Sequence, residues 1–273
     1  MGSPKIERMS AEMQYNAPKG SAVQIAAIVL TYNEQKHIAG CLDTISWADE
    51  RIVFDSLSTD LTREVARDAG AVVIENPFEN FAQQRNAALH STSADWVFFI
   101  DADERCTHAL SLEIRMVVHE VEHPVWAVPR DNYLFGRLTR GAGWFPDYQA
   151  RLFRVGYASF DPSREVHEVA TFDGTMGYLQ STLTHYNYET VSQFHSKQRR
   201  YTELDAGMLY KQGVHPKLRN YILQPLREFR RRYIQLKGYK DGLHGLRLSL
   251  LLAYYNFAMY YRLARMWQTH QIG

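Results

Sequence analysis

Asp101-Ala102-Asp103-Glu104 sets two aspartates two residues apart. In a tight turn such a pair can converge on one hard divalent cation, whose preferred ligands are oxygens. A cation held there bridges phosphates and takes up charge on a departing diphosphate. The plainer reading is that these acids cap a following helix, and the neighbourhood has to decide. Asp55 heads Asp55-Ser56-Leu57-Ser58-Thr59-Asp60-Leu61-Thr62, and a carboxylate there can accept from a nucleobase imide or a ribose hydroxyl. Thr31-Tyr32-Asn33-Glu34 adds an aromatic face for stacking and another acid. Gln83-Gln84-Arg85-Asn86 supplies a cation for phosphate oxygens, or simply an exposed helical arginine.

These residues need a scaffold that gathers them, and the apolar pattern supplies one. Gln24–Leu30, Arg51–Phe54, Ala71–Ile74 and Trp96–Ile100 read as strands, the first buried on both faces. Helical spacing separates them: Ile38, Cys41, Leu42 and Ile45; then a helix opened by Thr59–Thr62 and stopped by Gly70; then Phe81–Leu89. Strands alternating with helices predict an α/β fold with parallel pairing, whose ligands sit at the carboxyl ends of the strands. Thr31, Glu34, Asp55, Asp101 and Asp103 all fall at such ends. From Val125 to His185 short strands and Gly-, Pro- and aromatic-rich loops follow. Helices are expected at about 193–210, 218–236 and 243–267.

In this order and spacing, the Leu30–Glu34, Asp55–Thr62, Gln84-Arg85-Asn86 and Asp101–Glu104 segments resemble family 2 inverting glycosyltransferases of the GT-A fold. The resemblance spans roughly residues 24–190. It is nearest to bacterial lipopolysaccharide-core β-1,4-glucosyltransferase-type enzymes, which carry a segment like Gly143–Phe153 and then one like Val166-His167-Glu168. It implies a Rossmann-like nucleotide-binding sheet, a nucleotide-sugar donor such as a UDP-sugar, and a divalent metal, Mg2+ or Mn2+. Carried over, Thr31, Tyr32 and Glu34 line the base and ribose pocket, and Asp55 faces the base. Asp101 meets ribose or metal, Asp103 is the principal metal ligand, and Arg85 serves the phosphates. Where the family has glycine this chain has Leu57, costly at positive φ, so the loop after Asp55 is expected to take a different course.

An inverting transfer needs a carboxylate to take the acceptor hydroxyl's proton. Two are offered: Asp147, in an aromatic loop before Arg151-Leu152-Phe153, and Glu168. Each could instead be a structural acid, Asp147 beside Arg151 above all. His185, closing a strand predicted at Ser181–Thr184, is an acceptable ligand for a Mn2+-like metal, or an ordinary surface histidine.

The 273 residues are 45% hydrophobic and 22% charged, the balance of a protein with a core. Two cysteines, Cys41 and Cys106, give no disulfide framework. The net charge of +1 conceals a division: residues 1–196 carry −10 and residues 197–273 carry +11. Lys217–Lys240 holds eight cations against Glu228 alone, with Leu218, Tyr221, Ile222, Leu226, Phe229, Tyr233 and Leu236 at three- and four-residue spacings. That is the pattern of an amphipathic helix lying in an anionic membrane interface. Docking of the tail on the acidic body is the alternative. A nucleic-acid-binding tail is a third reading, disfavoured because the cations flank aliphatic rows. Leu248–Tyr261 has no charge but is too short to span a bilayer.

The organisation expected is a mobile tail at 1–20 and a catalytic domain at 21–190. The latter divides into a donor half (21–105) and an acceptor half (106–190), and a helical, membrane-associating region fills 191–273. No signal peptide opens the chain, so the expected place is the inner face of the cytoplasmic membrane. The acceptor is then a glycolipid or another lipid-linked molecule. A polyprenyl phosphate is the alternative acceptor; being already an anion, it would need no strong base.

Overall fold

The computed structural model describes residues 22–120, 122–162 and 170–269. The expected tail at 1–20 and the Val166-His167-Glu168 segment lie outside them. β1 (Ile25–Thr31) is the central strand, paired in parallel with β2 (Glu50–Asp55) and β4 (Trp96–Asp101). β3 (Val72–Glu75) extends β2, giving the order β3-β2-β1-β4. Alternate residues of these strands enter two separate cores, as the two-residue period of a strand requires. On one face Val29, Val53 and Phe98 pack with α1 (Ile38–Thr44), α2 (Thr62–Asp68) and α4 (His108–Val117). On the other, Ile28, Phe54 and Phe99 meet α3 (Phe81–Leu89). Local chemistry sets the helix ends. Asn80 accepts from the Gln83 amide, Asp60 from the Thr62 amide, and Gly70, at φ +77°, ends α2.

The second half continues the same sheet with mixed direction. β4 pairs antiparallel with β8 (Tyr148–Arg154), and β8 with β6 (Val125–Leu134). β6 pairs in parallel with β12 (Leu183–Tyr188), which runs antiparallel to β5 (Glu104–Cys106). The short strands β7 (Arg137–Thr139) and β11 (Met176–Tyr178) edge β6, while β9 (Ala158–Phe160) and β10 (Ala170–Phe172) form a separate hairpin. His185 therefore lies inside a strand, not at its close, because β12 continues through Tyr188.

The tail is helical, with one correction. The helix expected at 218–236 is α6 (Asn220–Arg230) followed by a π-helical turn at Arg231–Gln235. α5 (Val191–Lys211) starts on a capping box between Thr190 and Gln193. α7 (Gly242–Thr269) joins Leu134, Tyr188 and Phe194 in a third core through Leu248 and Tyr255. Gly245 lets the first turn of α7 pack against the turn at Gly238–Asp241: a Cβ there would lie 1.9 Å from the Gly238 carbonyl oxygen.

Candidate active site

Register brings the acids together. Thr31 is level with Asp55, and Leu30 with Asp101, so β1, β2 and β4 end on one edge. Beside it lies a cleft of about 310 Å³ with Thr31 and Gln84 in its wall and the half-exposed rings of Tyr32, Phe78 and Phe81 around it. Such a slot offers apolar faces for a flat base. Asp55 is fully buried beneath and accepts from Thr31 Oγ1 (3.0 Å), the Ser58 amide (2.7 Å) and Ser58 Oγ (2.5 Å). It organises the loop from within. The expectation drawn from Leu57 is corrected: Leu57 adopts φ +62°, the left-handed conformation a glycine would take. The strain, about 1–2 kcal/mol, is held by the bonds to Asp55 and by Asn33, whose Oδ1 accepts from the Thr59 amide at 2.8 Å.

Asp101 and Asp103 have different surroundings. Arg151 lies against both oxygens of Asp101 and, with Nη2, against Glu104 Oε1 at 2.6 Å. Burial pushes the Asp101 carboxyl up, but the Arg151 guanidinium outweighs it and holds the group well below the usual range. Asp103 faces the other way, with Oδ2 3.6 Å from Nε2 of His185. Two ligands at about this spacing fit one octahedral cation, since cis oxygens at ~2.1 Å from Mg2+ stand roughly 3 Å apart. Among the described residues no cluster of three or more His, Cys, Asp or Glu is set to hold a metal. Phosphates and water would complete the shell, which is how such ions commonly bind. Glu34 borders the same hollow. Burial, with Asp103 adding to it and Lys197 opposing, raises its carboxyl to about 7.

In the loop before β8, Asp147 is firmly held. Its Oδ2 accepts from Arg130 Nε (2.9 Å), Arg130 Nη2 (2.7 Å) and Asn132 Nδ2 (3.0 Å), and its Oδ1 from Gln149 Nε2 (2.9 Å). Burial raises the carboxyl, but Arg130 and these donors more than offset it, and the group stays ionised below the ordinary range. Arg130 also reaches Glu104 Oε1 at 3.3 Å. A chain of alternating charge thus runs Asp101, Arg151, Glu104, Arg130, Asp147.

The glycosyl transferase family 2 model matches residues 26–174, more than half of the chain, including the ends of β1, β2 and β4 and Asp147 but not His185. The chain belongs to glycosyl transferase family 2. This glycosyltransferase is 28% identical over 260 residues to the lipopolysaccharide core biosynthesis glycosyltransferase LpsC of Rhizobium meliloti, covering 91% of this chain and 93% of that one. It is 27% identical over 262 residues to an uncharacterized glycosyltransferase of Rickettsia bellii, covering 89% and 86%. Among solved structures, glucosyl-3-phosphoglycerate synthase from Mycobacterium tuberculosis matches 41% of this chain and 44% of its own, at 26% identity and TM-score 0.34. The chain thus spans less than half the length of that synthase.

Of the residues singled out from the sequence, Thr31, Tyr32, Glu34, Asp55, Asp101, Asp103, Asp147 and His185 lie along this edge of the family 2 glycosyltransferase or just behind it. Arg85 lies below it, its guanidinium 5.0 Å from the Phe99 ring and lining a hollow with Asp101, Arg130 and Arg151. Glu168 lies outside the described residues. Sequence reasoning missed Phe78, Glu104, Arg130 and Asn132. A signal for the last two existed, because residues two apart on one strand share a face.

Proposed function

We propose that this glycosyltransferase moves a sugar from a nucleotide-sugar donor, a UDP-sugar, to a lipid-linked or lipopolysaccharide-type acceptor, with inversion and with Mg2+ or Mn2+ bound. The reading rests above all on one juxtaposition: the aromatic slot, the Asp103–His185 pair and the ionised Asp147 lie along one strand edge. The base stacks by Tyr32 and Phe81, Thr31 and Glu34 attend the ribose, and Asp55, bonded to Thr31 and to Ser58 of the loop after it, faces the base from beneath. Asp103 and His185 would hold the cation, and Asp101 and Arg85 complete the polar surround. When bound, the cation supplies charge for the departing diphosphate. Asp147 takes the acceptor's hydroxyl proton on Oδ1 as that oxygen bonds to the anomeric carbon and the carbon–phosphate oxygen bond breaks. Glu168 is the second choice for this role. Similarity to LpsC, a lipopolysaccharide core biosynthesis glycosyltransferase, supports a lipopolysaccharide-type acceptor.

The same reading divides the chain into a donor half at 21–105, an acceptor half at 106–190 and a helical region at 191–273 that rests on an anionic bilayer. Leu218 (85% exposed) and Arg219 just before α6 continue its outward row of Ile222, Leu223 and Leu226, which stands among Arg227 and Arg230. α7 adds Leu243, Leu250 and Tyr254, and Phe257 meets Tyr221 of α6 at 6.0 Å, joining the two rows. Apolar residues ringed by cations suit an interface of anionic lipids. Arg231 and Arg232 pair with Glu228, and Arg262 with Glu203, inside the tail, which docks on the body by its apolar core. Among the described residues no helix is long and apolar enough to cross a membrane. On this reading the enzyme works at the inner face of the cytoplasmic membrane.

Donor hydrolysis over a panel of nucleotide sugars with Mg2+ or Mn2+, beside calorimetry of UDP with Asp103→Ala, tests the proposal. One donor should stand out, and Asp103→Ala should lose metal-dependent UDP affinity while melting like the wild type. Turnover of no nucleotide sugar, or unchanged metal dependence in the variant, would overturn it.

A further inference from the structure

Asn132 joins the two ends of the site. It is fully buried on β6, level with His185 of β12. Its Nδ2 donates to the Trp144 carbonyl at 2.9 Å and to Asp147 Oδ2 at 3.0 Å. Both of those partners can only accept, the first as a carbonyl and the second as a carboxylate ionised against Arg130. The amide orientation is therefore forced, and Oδ1 is the atom that faces His185 Nδ1 at 2.7 Å. Since Oδ1 can only accept, the proton must sit on His185 Nδ1. A neutral ring protonated there carries its lone pair on Nε2, the atom 3.6 Å from Asp103 Oδ2. Asn187 Nδ2, at 3.3 Å, donates a second bond to the same Oδ1.

We infer that Asn132 is a positioning residue shared by the metal and the base: one amide fixes the His185 tautomer that presents Nε2 to the cation beside Asp103, and with its other end holds Asp147 and the Trp144 loop at the acceptor. The inference rests on the reading of His185 as a ligand and Asp147 as the base. Partners of this kind behind a metal-binding histidine typically change affinity by about 10–100-fold when removed. Here the same removal also frees one side of the base. A change at Asn132 therefore couples two properties that changes at His185 or Asp147 alone would separate.

The test is nitrogen-15 NMR of the His185 ring in the metal-free protein, followed by Mn2+ titration with UDP present and by steady-state kinetics. Wild type should show the Nδ1-protonated tautomer, and Asn132→Ala a mixture of both tautomers. Asn132→Ala should bind Mn2+ about 10-fold or more weakly and also turn over more slowly at saturating Mn2+. His185→Gln should weaken Mn2+ binding with most turnover recovered at saturation, and Asp147→Asn should lower turnover with Mn2+ affinity kept. A wild-type ring protonated on Nε2 would overturn the inference with no variant needed. So would an Asn132→Ala protein that keeps the wild-type tautomer and Mn2+ affinity. Wild-type Mn2+ affinity in His185→Gln would overturn the ligand reading and the metal half of the inference with it, and the tautomer measurement tells that failure from the others.

Discussion

Arg130 sets two guanidinium nitrogens, Nε and Nη2, against a single oxygen of Asp147, Oδ2, at 2.9 and 2.7 Å. Adding the Asn132 amide gives that oxygen three donors, whereas Oδ1 accepts from Gln149. The carboxylate is oriented by one oxygen and has room to work with the other. Asp147→Asn should lower kcat by about 10²–10⁴-fold and leave donor affinity nearly unchanged. Because the folded carboxyl titrates below the ordinary aspartate range, its ionised form persists as pH falls through 3.8. The acid limb of kcat from this group should lie lower still. Steady-state kinetics from pH 4 to 8, with Glu168→Gln beside it, decide between the two acids. A defect in Glu168→Gln alone would move the role to that residue.

Glu104 is the middle carboxylate of the charge chain and is fully buried between Arg130 and Arg151. Removing one partner of a buried ion network leaves uncompensated charge and costs about 3–5 kcal/mol. Glu104→Ala should therefore be among the most destabilising single changes at the site, whereas Glu104→Gln, which keeps the acceptor oxygen, should cost less. Urea denaturation of both variants measures this. Equal stability for Glu104→Ala and wild type would show that the arginines find other partners.

Glu34 titrates at about 7 in the folded protein against an ordinary 4.5, chiefly through burial and then through Asp103. Between those two values the folded state holds a proton that the unfolded chain has released. Stability must then fall as pH rises through that window. Glu34→Gln should abolish this fall and melt higher than wild type at pH 8, with little difference at pH 4. A cation beside Asp103 favours the ionised form, so Mn2+ binding at pH 6.5 should release protons in wild type. Calorimetry in buffers of different ionisation heat reads that release, and an equal release in Glu34→Gln would assign it elsewhere.

For the tail, Ile222→Glu with Leu226→Glu should abolish flotation with anionic vesicles and leave transfer to a soluble acceptor analogue within about two-fold, the range of near-neutral surface changes. Arg219, Arg227 and Arg230 to Gln should weaken flotation most at low salt, where screening is least. Arg232 is a poorer probe, since its Nη1 donates to the Ala142 carbonyl at 2.8 Å and its loss would disturb the body. Wild-type protein that fails to float at low salt would end the bilayer reading.

Residues 21–105 were readable because their signals are local. Each apolar run is one strand, β2 and β4 end on their aspartates, and the order of the runs dictates parallel pairing. Asp55 shows where that reading stops. Its place at the strand end follows from the sequence, but its burial against Ser58 and Thr31 depends on the loop closing back over it. Residues 106–190 were less legible because their part of the site is made by register between distant strands. Arg130 meets Asp147 through the β6–β8 pairing, and Asn132 meets His185 through β6–β12. Neither pairing leaves a spacing signature. In the tail, the cation-rich pattern of Lys217–Lys240 predicted one helix, whereas Arg231 and Arg232 fold back onto Glu228 in a wider turn.

The third core, in which Leu248 and Tyr255 of α7 close on Leu134, Tyr188 and Phe194, bears on how far from a surface the enzyme works. A tether on a flexible linker lets a catalytic domain roam, and it can be cut away without harm. Here the helices that would touch lipid share side-chain packing with β6 and β12, the strands that carry Asn132 and His185. Deleting α7 would lay bare Leu134, Tyr188 and Phe194 beside β6 and β12. For a molecule resting on a bilayer, the same packing fixes the standoff between the lipid plane and the Trp144 loop. If the acceptor is anchored in that plane, the length of glycan that lifts its reactive hydroxyl to that height would decide which acceptors are used.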